Sequence, residues 1–153
     1  MKLSNRSQYG VRALFDMAYY SEEKTVQIHE ISRRQGIPRR FLEQIFFSLK
    51  KAGIIESTRG PKGGYTLTRA PRVVTIGDII RILEGPIEPV PCTTMEKDGS
   101  VCKYIDKCVT GMIWTEAGEI LSRYFDSITL EELCRRAEKL GLKKDVECLM
   151  FNI

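Results

Sequence analysis

A mainly α fold with one small β-hairpin, extended by a long amphipathic helix, is predicted by three features of the 153 residues. Apolar side chains recur at three- and four-residue steps along most of the chain, the period of helices buried on one face. Two short runs, 54–58 and 65–68, combine β-branched residues with partial alternation, and they flank a glycine-rich turn. Residues 92–108 are polar and without periodicity, and they separate this first part from the longest helical stripe of the chain.

The elements follow in order. From Ser7 to Tyr20, Val11, Leu14, Phe15, Met17 and Ala18 form an apolar stripe, with Arg6, Gln8 and Arg12 off it. A break at Ser21 to Thr25 precedes a short helix from Ile28, which Gly36 ends as a glycine beyond the last turn does. Ile37-Pro38 restarts the chain with proline at an early helical position, where a missing N–H costs little. Phe41, Leu42, Ile45, Phe46 and Leu49 then make a second stripe running toward Gly53. Two helices joined by a tight Gly-Ile-Pro turn, the second carrying Arg39, Arg40, Lys50 and Lys51, are a helix-turn-helix pattern. The hairpin that follows, with Arg59-Gly60-Pro61-Lys62-Gly63-Gly64 as its turn, completes the outline of a winged helix. A short helix is expected over Asp78 to Leu83, then a proline-rich connector. Beyond the polar loop, Ile113, Ala117, Ile120, Leu121, Tyr124, Phe125 and Ile128 define the long helix. Thr129 and Glu132 are spaced as a capping box that opens a last helix through Leu133, Ala137 and Leu140. The expected organisation is a winged helix-turn-helix domain at 1–84, a cysteine loop at 85–111, a dimerisation helix and following helix at 112–141, and a tail at 142–153.

Composition narrows the function. Hydrophobic residues at 42% and charged residues at 29% exclude the disordered and fibrous classes. No run approaches the ~18 apolar residues of a membrane span. The nearest, Ala13 to Tyr20, is broken by Asp16 and followed by Glu22 and Glu23, so a cytoplasmic protein without a membrane partner is expected. A single histidine, His29, leaves most hydrolytic triads and histidine-built metal sites without their residues. Gly60 to Gly64 lacks the Lys-Ser/Thr ending of a phosphate-binding loop, and an enzyme is not expected. The net charge of +4 hides an asymmetry: residues 1–72 carry 14 Lys and Arg against 6 Asp and Glu, and residues 73–153 carry 10 against 14. A basic first half whose charge sits on a helix-turn-helix and its wing points to double-stranded DNA. In the wing, Arg59 and Lys62 supply charge, while Gly63 and Gly64 let backbone approach phosphates. The long helix has little core of its own and is expected to pack against a copy of itself, because paired recognition helices read two half-sites.

Five cysteines are many for this length, and Cys92, Cys102 and Cys108 fall within 17 residues. Zinc normally takes four ligands, often in close pairs, and suits this spacing poorly. A thiol switch needs only two cysteines near positive charge, here Lys97, Lys103 and Lys107. An iron–sulfur cluster tolerates irregular loop spacing. Inert cysteines are generally buried in apolar runs, which describes Cys134 beside Leu133 but not these three.

Leu3-Ser4, Tyr9-Gly10, Ala13-Leu14, Ile31-Ser32, Gly36-Ile37, Phe41-Leu42-Glu43-Gln44-Ile45, Leu49-Lys50-Lys51-Ala52-Gly53, Arg59-Gly60-Pro61-x-Gly63-Gly64-Tyr65 and the three cysteines together resemble one family over residues 2–128. It is that of the bacterial winged-helix iron–sulfur regulators that include IscR and NsrR, and Trp114 fits the IscR pattern too. The resemblance implies a homodimer crossed by its long helix. Each subunit would hold one iron–sulfur cluster, 4Fe–4S or 2Fe–2S, on Cys92, Cys102 and Cys108. It also places Arg39, Arg40, Glu43 and Gln44 toward the major groove, where Arg can bind guanine or phosphate, Gln adenine, and Glu a cytosine amino group. Arg59 is placed to enter a narrow minor groove. Tyr65 is as well suited to packing the wing as to touching DNA. Where IscR-like members carry a ligand histidine this chain has Gly111, and where NsrR-like members use a carboxylate near the first helix it has Gln8. The first cysteine gap is also longer than in IscR-like members. The fourth ligand stays open among Glu96, Asp98, Asp106, Cys148, a small thiol and water. The expected function is a DNA-binding transcriptional regulator controlled by its cluster, sensing iron–sulfur status, nitric oxide or redox state. The alternative is a cluster-free regulator of the same fold that responds to thiol oxidation or to cysteine metabolism.

Overall fold

The structure, a computed structural model, describes residues 3–21, 24–90, 102, 104, 107–142 and 144. Cys92, the ligand candidates Glu96, Asp98, Asp106 and Cys148, Lys97, Lys103 and the tail from 145 onward lie outside the described residues.

Six α-helices and one two-stranded antiparallel sheet follow in the order α1 (Asn5–Tyr20), α2 (Ile28–Gln35), α3 (Arg39–Lys51), β1 (Ile55–Thr58), β2 (Gly64–Leu67), α4 (Ile76–Glu84), α5 (Val109–Asp126) and α6 (Leu130–Lys139), with a 3-10 turn at Pro71–Val73. The mainly α winged-helix fold is as expected. The Ser4 hydroxyl accepts from the Ser7 amide to cap α1. Its own amide and hydroxyl bind the Glu84 carboxylate at 2.8 and 2.6 Å, which ties the start of α1 to the end of α4. The stripe of α1 buries Ala13, Leu14 and Met17 against Ile31, Leu42, Ile45, Leu49 and Ile79 of α2, α3 and α4. Each such side chain contributes about 1.5–3 kcal/mol by leaving water.

Among the described residues three polar side chains, Ser7, Asp16 and Gln35, lie inside this core, and Asp16 is the charged one. Asp16 is fully buried and accepts from Arg34 Nε at 3.1 and 3.0 Å, from Arg34 Nη2 at 2.6 Å and from Gln35 Nε2 at 2.9 Å. The pair locks α1 to α2, and Arg12 adds a bond to the Gln35 carbonyl. The turn into α3 follows from Gly36, whose φ of 61° is the left-handed conformation that glycine adopts at least cost.

The starts of α4 and α5 and the cap of α6 differ from expectation. Helix α4 starts two residues earlier because Thr75 and Asp78 form a complete capping box, at 3.0 and 3.1 Å. The expected box at Thr129 is only half made: the hydroxyl accepts from the Glu132 amide, but the Glu132 carboxylate turns to Arg135 and Arg136 at 3.0 Å each. Helix α5 starts at Val109, inside the expected loop, because Cys108 itself caps it. Helix α6 packs back on the first domain rather than standing beside α5. Leu130 and Ala137 are buried, Thr75 and Thr129 pair across the chain, and Tyr19 donates to the Leu142 carbonyl at 2.7 Å. Among the described residues no helix is long and apolar enough to cross a membrane.

Candidate DNA interface and cysteine site

Helix α3 has two faces. Leu42, Ile45, Phe46 and Leu49 are buried, and Arg39, Arg40, Glu43 and Gln44 are exposed on the outward side. All four side chains expected to face DNA therefore share one accessible surface. Glu43 is engaged there by Arg39 Nε at 3.2 Å, one turn away, a solvated pair that contributes a few tenths of a kcal/mol at most. Two neighbours were not foreseen. Phe47 stands 73% exposed on the same face, and Arg6 reaches across from α1 to bind Ser48 Oγ at 2.5 Å. With Arg40, Glu43 and Gln44 they line a shallow groove of about 780 Å3. The signal for Phe47 was legible: it falls off the apolar stripe of its own helix.

The wing is braced against α3. β1 pairs β2 from Ile55↔Leu67 to Thr58↔Gly64. Tyr65 sets its ring edge-on to Phe46, centroids 4.7 Å apart, so it packs the wing. Val26 pairs with Tyr65 on the other side of β2, its amide donating at 3.0 Å and its carbonyl accepting at 2.8 Å. Lys50 Nζ meets Ser57 Oγ at 2.5 Å, and Thr25 Oγ1 donates to the Lys62 carbonyl at 3.0 Å. Arg59 and Lys62 extend outward from this frame. Gly63 and Gly64 have an internal duty: a Cβ at 63 would stand 2.3 Å from the Thr58 carbonyl oxygen, and one at 64 would stand 2.6 Å from that of Val26. Their absence of a side chain lets the hairpin close on itself and on Val26.

At the other end of the molecule Cys108 caps α5, its sulfur accepting from the Gly111 amide at 3.3 Å and lying 3.3 Å from Thr110 Oγ1. The Thr110 hydroxyl, then the Gly111 amide, hold its thiol below the ordinary cysteine range. A thiol so held favours the thiolate, which is the nucleophile and the metal ligand. A Cβ at position 111 would stand 3.3 Å from the Cys108 sulfur, so a side chain there would begin beside the thiol; glycine leaves that flank open. Cys102 is a half-buried free thiol. Among the described residues no three His, Cys, Asp or Glu side chains converge on one point, and Cys92, the third expected ligand, lies outside them. Cys134 is the opposite case, half-buried on α6, where burial and then Glu138 push its thiol up to about 11.

Helix α5 packs on α4 through Leu121 and Phe125, with Arg81 Nη1 on Asp126 at 2.8 Å. Its other side leaves Val109, Met112, Ile113, Ile120 and Tyr124 between 56% and 75% exposed, an apolar stripe interrupted by Glu116. His29 takes no part in either region.

Comparison with known proteins agrees with this architecture. Residues 3–136 match the Rrf2 family, described as an iron-dependent transcriptional regulator. The chain is 39% identical to protein rrf2 of Nitratidesulfovibrio vulgaris over 90% of its own length and 89% of the relative. It is 36% identical to the HTH-type transcriptional regulator IscR of Erwinia tasmaniensis over 92% of its length and 82% of the relative. Among solved structures it superposes on T. potens IscR with a TM-score of 0.75 at 34% identity, covering 94% of this chain and 93% of the other. CymR, the global cysteine regulator of B. subtilis, superposes with 0.71 at 31% identity, covering 89% and 98%. The chain belongs to the Rrf2 family and is a DNA-binding transcriptional regulator.

Proposed function

We propose that this regulator works as a homodimer whose operator affinity is set by an iron–sulfur cluster on Cys92, Cys102 and Cys108. The observation that carries the reading is the position of Cys108: a partly exposed thiol held low by its neighbours caps the helix whose apolar stripe has no partner among the described residues. The donor chemistry fits, because a cluster takes thiolates, and Cys102 and Cys108 are both free. When bound, the cluster supplies a link between the cysteine loop and the first turn of α5 that oxidation, nitric oxide or iron loss removes. The chain's own residues carry the consequence. Helix α5 is fixed to α4 by Leu121, Phe125 and the Arg81–Asp126 pair, and α4 packs in the core with α1 and α3. A change in the seating of α5 against a second copy therefore bears on the spacing of two α3 helices. A coupling of about 1–3 kcal/mol alters affinity roughly 5–150-fold. In this reading Arg39, Arg40, Glu43 and Gln44 face base edges, while Arg59 and Lys62 hold the backbone.

A second reading has its own support. The same low-held Cys108 suits a thiol switch without a cluster, and the similarity to CymR is nearly as close as that to IscR. Purification without oxygen separates the two. The cluster reading expects a brown protein with two or four irons and matching sulfide per chain, and loss of that iron in Cys108→Ala. A colourless protein that takes up no iron and sulfide, and whose DNA binding follows dithiothreitol but not iron, overturns it in favour of the thiol switch.

A further inference from the structure

Phe47 is the largest apolar side chain left in water near the DNA-facing surface, at 73% exposure, while Leu42, Ile45, Phe46 and Leu49 of the same helix are buried. No aromatic ring packs against it among the described residues, whereas Phe41 on the same helix, 49% exposed, meets the edge of Tyr9 with centroids 6.2 Å apart. Its place on the helix is specific. Arg40, Glu43, Gln44 and Phe47 stand at i, i+3, i+4 and i+7, one face over two turns. That is the spacing with which the recognition helix of a homeodomain reads successive base pairs in the major groove. Charge around it suits a polyanion and not an apolar protein surface: Arg6, Arg40, Lys50 and Lys51 surround it, all exposed, and Arg59 and Lys62 project from the adjoining wing. The one apolar feature that a base pair offers in the major groove is the 5-methyl group of thymine, which side chains such as phenylalanine contact.

We propose that Phe47 is a specificity-determining residue, its ring reading a thymine of each operator half-site through the 5-methyl group. The assignment rests on α3 being the DNA-reading helix. The ring adds to the polar contacts of Arg40, Glu43 and Gln44 a contact that no other base supplies. Removing one buried methyl from its partner is expected to cost about fourfold in affinity, the worth of one methyl-sized apolar group.

The test uses the full-length protein and an operator selected by the wild type from a random DNA pool. Each thymine is replaced in turn by deoxyuridine, which removes the methyl and keeps the hydrogen bonding. Wild type is expected to lose about fourfold at one thymine per half-site. Phe47→Ala is expected to bind the unmodified operator at least fourfold more weakly and to be indifferent to the methyl at that thymine. Its helical content and melting temperature should match those of wild type, since the ring covers no core. Equal methyl sensitivity in wild type and Phe47→Ala, or unchanged affinity of Phe47→Ala, overturns the assignment while leaving α3 as the reading helix. A Phe47→Ala protein that sediments as a smaller species with its methyl sensitivity intact overturns it too and gives the ring to a contact between copies. Failure of the wild type to enrich any sequence removes the DNA-reading role itself.

Discussion

Helices α3 and α5 both carry a regular apolar stripe, and the structure treats them in opposite ways. The stripe of α3 is closed inside the chain: Leu42, Ile45, Phe46 and Leu49 are each no more than 1% exposed. Helix α5 is five residues longer, yet only Gly118 along it is buried, and Ile113 and Ile120 are 56% and 58% exposed. Amphipathicity alone does not tell which surface an apolar face will meet. The difference lies in what surrounds each helix: α3 is walled by α1, α2, α4 and the wing, while among the described residues α5 leans by one edge on α4 and the connector at Ile87–Pro89. A stripe walled on every side stabilises the fold. A stripe walled on one side remains available to a second copy.

One substitution made in both helices breaks the comparison most sharply. Ile45→Asp puts an unpaired carboxylate into a filled core and is expected to cost more than about 4 kcal/mol, enough to abolish the cooperative urea transition. Ile120→Asp is expected to leave helical content unchanged by circular dichroism while converting a dimer into a monomer by sedimentation. With one half-site engaged at a time, affinity for a two-site operator should fall by about 10²–10⁴-fold. If Ile120→Asp unfolds the chain as Ile45→Asp does, the two helices are not different in kind. If it stays dimeric, the stripe of α5 is not the contact.

The frame that walls α3 can be weakened without touching α3. Asp16→Ala removes the acceptor of four hydrogen bonds and leaves the 12%-exposed Arg34 without its counter-ion. A loss of about 3–4 kcal/mol is expected in urea unfolding, because breaking a buried pair strands the remaining charge. Asp16→Ala combined with Arg34→Met should regain a measurable part of it, and equal stability of the single and double variants would show that the pair adds nothing beyond side-chain packing. The effect belongs to the contact of α1 with α2 and should leave any iron that the protein binds unchanged.

These interactions mark how far the sequence could be read. Periodicity found α1, α3 and α5, Gly36 bounded α2, the spacing of Thr129 and Glu132 opened α6, and the glycine-rich turn placed the wing, because those signals act within a few residues of one another. That Arg39, Arg40, Glu43 and Gln44 share the exposed face of α3 was legible for the same reason: a stripe on one face of a helix defines the opposite face. Contacts made at long range were not legible. Nothing local says that Asp16, a break in the stripe of α1, is the partner of Arg34, or that Arg6 would reach Ser48. Thr75–Asp78 and Thr129–Glu132 have the same spacing, yet only the first closes a full box, because Arg135 and Arg136 draw Glu132 away. Gly63 and Gly64 were read as openings toward phosphate. Their tight contacts are with Thr58 and Val26, the second of them far away in sequence.

The smallest predicted effect separates the cysteines of the two regions. Cys108 opens α5 with its thiol held below the ordinary range by Thr110 and Gly111, and Cys134 sits on α6 with burial pushing it up to about 11. Raising the pH toward the thiol's own value fills the thiolate, so at pH 7.5 Cys108 holds far the larger thiolate fraction. Cys134 at about 11 lies about two units above an ordinary thiol, which alone corresponds to about 100-fold less thiolate, and the lowering of Cys108 acts in the same direction. Thiolates of lower pKa are weaker nucleophiles, with a slope of about 0.4–0.5, and this takes back about tenfold. In cluster-free protein Cys108 should therefore react with iodoacetamide about ten times faster than Cys134, read by mass spectrometry of timed digests, before counting the lower accessibility of Cys134. Raising the pH from 7.5 to 9.5 should narrow the ratio, because the Cys108 thiolate saturates while that of Cys134 is still increasing. Equal rates at pH 7.5 would mean that the cap on α5 does not hold Cys108 in its reactive form, and the thiol on which both functional readings depend would lose its distinction from the one on α6.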